Sequence, residues 1–273
     1  MQVEGASLTD PGRHRVLNED SVAAFAPADP LLLERKGHLY VIADGLGGHA
    51  AGEVASSTAT ATTIQEYYSS SNHSRVEPAL RTSVQSANLR VHNLAMSNPA
   101  YRSMETTLTA VALVGSNAYV AHVGDCRLYH WRGGTLTQLT ADHSEAAELV
   151  RMRVLKPEKV RGHPGRGVLT RTLGGRLILR PDFSRHPVLP GDTLAMCSDG
   201  LWSELDEPEL AQVLADCSPA DACRALIDLV LARDCDDNVS VQVVRVVDVA
   251  DDPARGAGRN GWLSGIFQRK GRE

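Results

Sequence analysis

Three apolar runs in this chain stop at an acid: His38-Leu-Tyr-Val-Ile-Ala-Asp44, Asn117-Ala-Tyr-Val-Ala-His-Val-Gly-Asp125 and Thr193-Leu-Ala-Met-Cys-Ser-Asp199. Each run has the length and composition of a buried strand. Two more acidic turns, Asn18-Glu19-Asp20 and Asp236-Asp237-Asn238, adjoin strands expected at 21–25 and 239–249. Any one such acid is an ordinary turn residue, because Asp-Gly and Asp-Asn favour turns. Five of them constrain the chain more tightly. Carboxylates gathered at strand ends repel one another unless a cation lies between them.

The pattern along the chain sets the fold class. Strands are expected at 3–8, 21–25 and 38–43, followed by helices over 50–70 and 75–96. In the second helix Val76, Leu80, Val84, Ala87, Val91 and Leu94 recur at three- and four-residue steps, which makes one apolar face. The stretches TTLTAVALVG, NAYVAHVGD and RLYHWRGGTLTQLT are β-rich, broken at Gly115 and at Gly133-Gly134, and read as a meander of hairpins. A less regular segment, 142–180, is interrupted by Pro157, Pro164 and several glycines. A strand at 192–197, helices near 206–216 and 219–233, and a last strand at 239–249 follow. This order fits an α+β protein in which helices cover antiparallel sheets, not a βαβ alternation. The domain is expected to occupy 1–249, with 250–273 a Gly/Arg-rich flexible basic tail. Trp262, Leu263, Ile266 and Phe267 would give that tail one apolar face, with membrane or partner contact as the functional alternative to disorder.

Composition removes several functions. A net charge of −5 over 273 residues requires no basic face, so nucleic acid is not expected as a partner. Neither GxxxxGK[ST] nor a strand-linked GxGxxG occurs, so the glycines around Asp44 are not read as a nucleotide cradle. The N-terminus lacks a signal-peptide core and the five cysteines are odd in number without a CxxC pair, so a reduced, cytoplasmic protein is expected. Hard oxygen ligands without clustered cysteine or histidine point to Mg²⁺ or Mn²⁺. Arg15 lies five residues before Asp20, and a planar guanidinium can grip two phosphate oxygens at once. A metal cluster beside an anion clamp is the chemistry these parts describe.

Seven motifs then occur in a telling order: Arg15-Val-Leu-Asn-Glu-Asp20, Asp44-Gly-Leu-Gly-Gly-His49 with Gly52-Glu53, Thr106-Thr-Leu-Thr109, Gly124-Asp-Cys-Arg127, Leu169-Thr-Arg-Thr-Leu-Gly174, Cys197-Ser-Asp-Gly-Leu-Trp202 and Asp237-Asn-Val-Ser240. In these the chain resembles the metal-dependent protein phosphatases, the type 2C serine/threonine family, in its compact bacterial form. The resemblance spans roughly 3–248 and implies an α-β-β-α sandwich of two antiparallel sheets flanked by helices. It implies that Asp44 bridges two Mn²⁺ or Mg²⁺ ions, that the Gly45 carbonyl binds the second, and that Asp199 and Asp237 complete the first. Glu19 and Asp20 would hold the ions' waters from the outer shell, and Asp125 with Asp199 matches a third-metal site. Arg15 would bind the substrate phosphate, with Arg15, Asp20 and Asp44 the catalytic group.

The implied reaction is hydrolysis of phosphoserine and phosphothreonine in proteins by a metal-activated water, in line and without a phosphoenzyme. Such an enzyme, expected as a monomer, would serve signalling opposite a serine/threonine kinase. The alternative is a pseudophosphatase that binds phosphoproteins without turnover; the presence of Asp44, Asp199 and Asp237 argues against it. Leu46 stands where many family members carry histidine, and His49 is read as a cap of the following helix. Asp142-His143-Ser144 is not read as a triad, because adjacent residues cannot adopt that geometry; Asp142 or Ser144 is expected to cap a helix near 145–153. By resemblance, 142–180 is a flap beside the active site, made basic by Arg151, Arg153, Lys156, Lys159, Arg161, Arg166 and Arg171. Recognition of an acidic phosphopeptide and a solvated surface are both open readings of it.

Overall fold

The computed structural model describes residues 1–47, 51–69 and 75–249. The expectations for His49 and for the tail, 250–273, lie outside the described residues. In chain order come β1 (Gln2–Asp10), β2 (Asp20–Phe25), α1 (Pro30–Lys36), β3 (His38–Leu46), α2 (Ala51–Ser69), α3 (Val76–Ser97), β4 (Glu105–Thr106), β5 (Leu108–Val114), β6 (Asn117–Val123), β7 (Arg127–Arg132) and β8 (Thr135–Gln138). Then follow α4 (Glu145–Arg151), β9 (Asp182–Pro187), β10 (Thr193–Cys197), α5 (Asp199–Trp202), α6 (Glu207–Asp216), α7 (Pro219–Ala232) and β11 (Val239–Asp248). Among the described residues no helix is long and apolar enough to cross a membrane.

Two antiparallel sheets face each other. One has the order β1-β11-β10-β7-β8; the other has β2-β3-β5-β6-β9, with β4 paired to β3. Strand alternation builds three apolar layers from them. On β3, Leu39, Val41 and Ala43 turn outward to a core shared with α2 and α3. Tyr40 and Ile42 turn inward, meeting Leu128, Met196 and Val244 of the facing sheet. On the far side Val239, Val241 and Val243 of β11 pack under α6 and α7 through Leu210, Leu214, Leu226 and Ile227. Helices, sheet, sheet, helices is the expected four-layer α+β sandwich.

Four details depart from the sequence reading. The β-rich middle is not one meander: β5 and β6 form a hairpin in one sheet, whereas β7 and β8 join the other beside β10. The crossing occurs at Gly124, whose φ of +107° and whose missing Cβ, 2.5 Å from Thr107 Cβ if present, leave no room for another residue. Helix α1 was not expected, although Asp29 caps it by accepting from Leu31 N at 3.0 Å and Pro30 opens it. Strand β9 was missed as well, because DFSRHP is largely exposed at a sheet edge and shows no apolar alternation. Finally α4 stops at Arg151, short of 153, where Arg153 takes a left-handed φ of +59°.

Candidate active site

The acids converge because antiparallel neighbours share an end. Asp20 opens β2 directly opposite Asp44 on β3, and Asp125 follows β6, which pairs Val123 with Leu108 at that same edge. In the facing sheet β10 ends where β11 begins: Ser198 N donates to Ser240 O at 3.1 Å, which puts Asp199 beside Asp237. The Ser198 hydroxyl joins the two halves by donating to Asp20 Oδ2 at 2.7 Å.

Asp44 is fixed by its backbone. Its N–H donates to Thr107 Oγ1 at 2.8 Å, and its carbonyl accepts from Thr107 N and from the Thr106 hydroxyl, both at 2.8 Å. Gly45 follows in a space closed to any Cβ, which would fall 2.1 Å from Gly52 O. A Cβ on Gly52 would in turn strike the Glu19 carboxylate at 2.4 Å. Glu19 is held through its N–H, which donates to Asn238 Oδ1 at 2.8 Å, while Asn238 Nδ2 donates to the carbonyls of Pro11 and Leu17 at 2.9 and 3.0 Å. Asn238 thus ties the β1–β2 loop to the acids. From that loop Arg15 reaches Asp237 Oδ1 at 2.9 Å through Nη2 and Asp236 O at 3.1 Å through Nε.

Charge shows how crowded the group is. Burial, then Asp20, Asp199, Asp125 and Asp237, hold the Asp44 carboxyl well above the usual carboxylate range. Burial pushes Asp20 up to about 7 against the opposing hydroxyls of Ser198 and Ser240, with Asp199 and Asp237 adding to the rise. Asp199 rises to about 6, first through burial and then through Asp237, with Arg166 pulling the other way. Asp125 is raised by burial, Asp199 and Asp142, and its Oδ1 is buried with no hydrogen-bond partner among the described residues. A buried, unpaired carboxylate oxygen facing other carboxylates is the donor chemistry of a hard divalent cation. Among the described residues no three of these side chains lie close enough together to hold a metal ion by themselves. Mg²⁺ and Mn²⁺ take only part of their shell from protein oxygens and the rest from water, so direct ligation by a few of these carboxylates would fit their chemistry.

The Asp125 turn is braced by residues to which the sequence reading gave no role there. Trp202 Nε1 donates to Asp125 O at 2.9 Å, and the Arg127 guanidinium lies 3.7 Å from the Trp202 ring centre. Arg127 is gripped by Asp142 through two parallel bonds, Nε to Oδ1 at 3.1 Å and Nη2 to Oδ2 at 2.7 Å. His143 accepts from Gly124 N at Nδ1 and pairs with Asp182 at Nε2, while Ser144 caps α4 by accepting from Ala147 N. Of the two candidate caps, Ser144 is therefore the one used, and Asp142-His143-Ser144 make three unrelated contacts rather than a triad. The Thr106-Thr-Leu-Thr and Trp202 motifs were visible in the sequence; what they hold was not.

Residues 12–239 match the family described as PP2C, protein phosphatase 2C. The chain belongs to the protein phosphatase 2C family. It is 31% identical to protein phosphatase PhpP of Streptococcus pneumoniae over 89% of this chain and 97% of that one. It is 33% identical to serine/threonine protein phosphatase PstP of Mycobacterium tuberculosis over 89% of its own length, which is 45% of the mycobacterial protein. The structure of a PstP catalytic domain in complex with two manganese ions overlays with a TM-score of 0.78 at 32% identity, covering 90% of this chain and 99% of that one.

Proposed function

We propose that this phosphatase 2C chain hydrolyses phosphoserine and phosphothreonine in proteins, using Mn²⁺ or Mg²⁺, and so opposes a serine/threonine kinase. The observation that carries this reading is the convergence of Asp20, Asp44, Asp125 and Asp199 with one buried oxygen left unpaired. The manganese complex of PstP supports the choice of cation. In this reading Asp44 and the Gly45 carbonyl, with Asp199 and Asp237, would hold two ions, Glu19 and Asp20 would orient water around them, and Asp125 with Asp199 would hold a third. When bound, the cations lower the pKa of a water and offset the charge that grows on the phosphoryl oxygens.

The chain's own residues supply the remainder. Arg15 spends one Nη2 donor on Asp237 and Nε on Asp236 O, which leaves the other edge of its fork for a phosphoryl oxygen. The Ser198 hydroxyl donates to Asp20 Oδ2 and fixes the orientation of that carboxylate. A Ser or Cys nucleophile is not used: Cys126 and Cys197 are buried thiols, the latter pushed up to about 12, first by burial. The non-catalytic alternative has no observation in its favour, because every acid the chemistry needs is present.

Side-by-side turnover of phosphothreonine and phosphotyrosine peptides with Mn²⁺, Mg²⁺ or EDTA tests the reading. Hydrolysis of the phosphothreonine peptide with either metal and none with EDTA is expected. Turnover undiminished by EDTA, or confined to phosphotyrosine, would contradict it.

A further inference from the structure

Beside the acid cluster lies a cavity of about 540 Å³ whose lining includes Glu105, Arg171, Arg176, Ile178 and Arg180. Its position follows from pairing. Glu105 is the cross-strand neighbour of Leu46, and Thr106 gives its hydroxyl to the Asp44 carbonyl at 2.8 Å. Thr106 also exchanges backbone bonds with Leu173 at 3.1 and 2.7 Å, which draws the segment after Leu173 alongside the active-site strand. The cavity wall is therefore continuous with the strand that carries Asp44.

The charges in this cavity are unequal and partly idle. Arg171 is already engaged by Asp182 at 2.7 Å, and Glu105 accepts from the Thr172 hydroxyl. Arg176 and Arg180 are exposed, and neither guanidinium has a hydrogen bond or ion pair among the described residues. Between them Leu177 and Ile178 are 60% and 80% exposed. The backbone that carries this exposed tip is nonetheless pinned. Asn88 of α3, 1% exposed, donates to the carbonyls of Arg176 and Leu177 at 3.0 and 3.2 Å and accepts from Gly174 N at 2.9 Å. His92 Nδ1 holds the Gly174 carbonyl at 2.8 Å, and Leu179 packs into the core under α3. Two unpaired cations and an apolar tip on a fixed backbone form a preorganised surface, and association loses less entropy on such a surface than on a loop that must be ordered.

We propose that Arg176 and Arg180 bind acidic side chains flanking the phosphorylated residue of the substrate protein. The proposal deepens the phosphatase reading and rests on it. A carboxylate matches the guanidinium fork in shape and charge. With Arg171 already paired to Asp182, Arg176 and Arg180 against Glu105 still leave the cavity attractive to anions, and its wall runs alongside the strand that carries Asp44. The seven basic residues of 142–171 are not needed for this; several are already committed, as Arg161 is to Leu205 O and Arg166 to Arg161 O.

The test compares two phosphothreonine peptides of one sequence, with glutamate or glutamine at the positions flanking the phosphothreonine. In the wild-type chain with Mn²⁺, kcat/KM for the glutamate peptide should exceed that for the glutamine peptide by about 10-fold, chiefly through KM and less so as salt rises. In the double variant Arg176→Ala, Arg180→Ala the ratio should fall to about 1, and in Arg176→Glu, Arg180→Glu it should invert. Because neither side chain has a partner among the described residues, an unchanged melting temperature checks that the variants fold. Equal kcat/KM for both peptides in the wild type would overturn the proposal, as would a preference that survives both substitutions. A preference that follows an apolar flanking residue and ignores charge would assign the surface to Ile178 and overturn it too. p-Nitrophenyl phosphate, which has no flanking chain, reports the chemistry alone; failure of the wild type to hydrolyse it with Mn²⁺ would count against the phosphatase reading instead.

Discussion

Asp44 is costly to bury in the metal-free chain, since burial and four other acids oppose its ionisation. Function and stability are therefore opposed at this position. Asp44→Asn should raise the stability of the metal-free chain by about 1 kcal/mol, or roughly 2–4 °C in a melting curve. The sign with pH follows from the neighbours. Asp20, with an ordinary value of 3.8, rises to about 7, and Asp199 to about 6. Between 3.8 and these values the folded chain keeps protons that the unfolded chain has lost, so stability present below pH 3.8 declines as pH rises towards 7. Melting with EDTA at pH 5 and pH 7.5 should show the lower stability at pH 7.5, and added Mn²⁺ should restore more of it there than at pH 5. Gly45 shows how the sequence underdetermines its own geometry. Asp44-Gly45 reads in sequence as a turn, whereas Gly45 lies within β3 and pairs with Thr106; its closeness to Gly52 O, at 2.1 Å from the missing Cβ, depends on a helix that the local sequence does not place.

Among the elements, long periodic segments were the legible ones. α3, α6, α7 and β11 lie within a residue or two of their expected bounds, because each helix buries one regular apolar face and β11 is a long apolar run buried on both. The short or polar ones, α5 and β9, carry no such signal, and β7 keeps its hairpin with β8 but lies beside β10 instead of β6, because a hairpin pattern does not say which sheet a strand joins. What fixes β7 is tertiary: the half-hidden Arg127–Asp142 pair, with side chains 12% and 5% exposed, and the Arg127 stack on Trp202. Arg127→Ala would leave the Asp142 carboxylate without a countercharge and with the Gln138 amide as its remaining hydrogen-bond donor among the described residues, at a cost of about 3 kcal/mol in denaturant unfolding. Exchanging both residues for apolar ones of similar size should cost much less. Trp202→Phe keeps a ring under Arg127 but removes the bond to Asp125 O and leaves a void in a buried site, so about 2–3 kcal/mol is expected.

Over the whole molecule, the placement of the acids is a consequence of two antiparallel sheets stacked so that one end of each meets the other. Asp20 and Asp44 share an edge by register, Asp199 and Asp237 by the β10–β11 pairing, and Ser198 links the two pairs across the gap. The acids, their sequence order and the family resemblance could be read from the chain. The convergence itself could not, because it needs β11 to lie between β1 and β10, a pairing of residues more than two hundred positions apart. The phosphatase reading stands or falls with that convergence, and turnover of a phosphothreonine peptide by Asp44→Asn with saturating Mn²⁺ probes it most directly. A fall in kcat/KM of about 10³-fold is predicted, with the variant's melting temperature in EDTA at or above that of the wild type. Turnover within a few-fold of the wild type would contradict it.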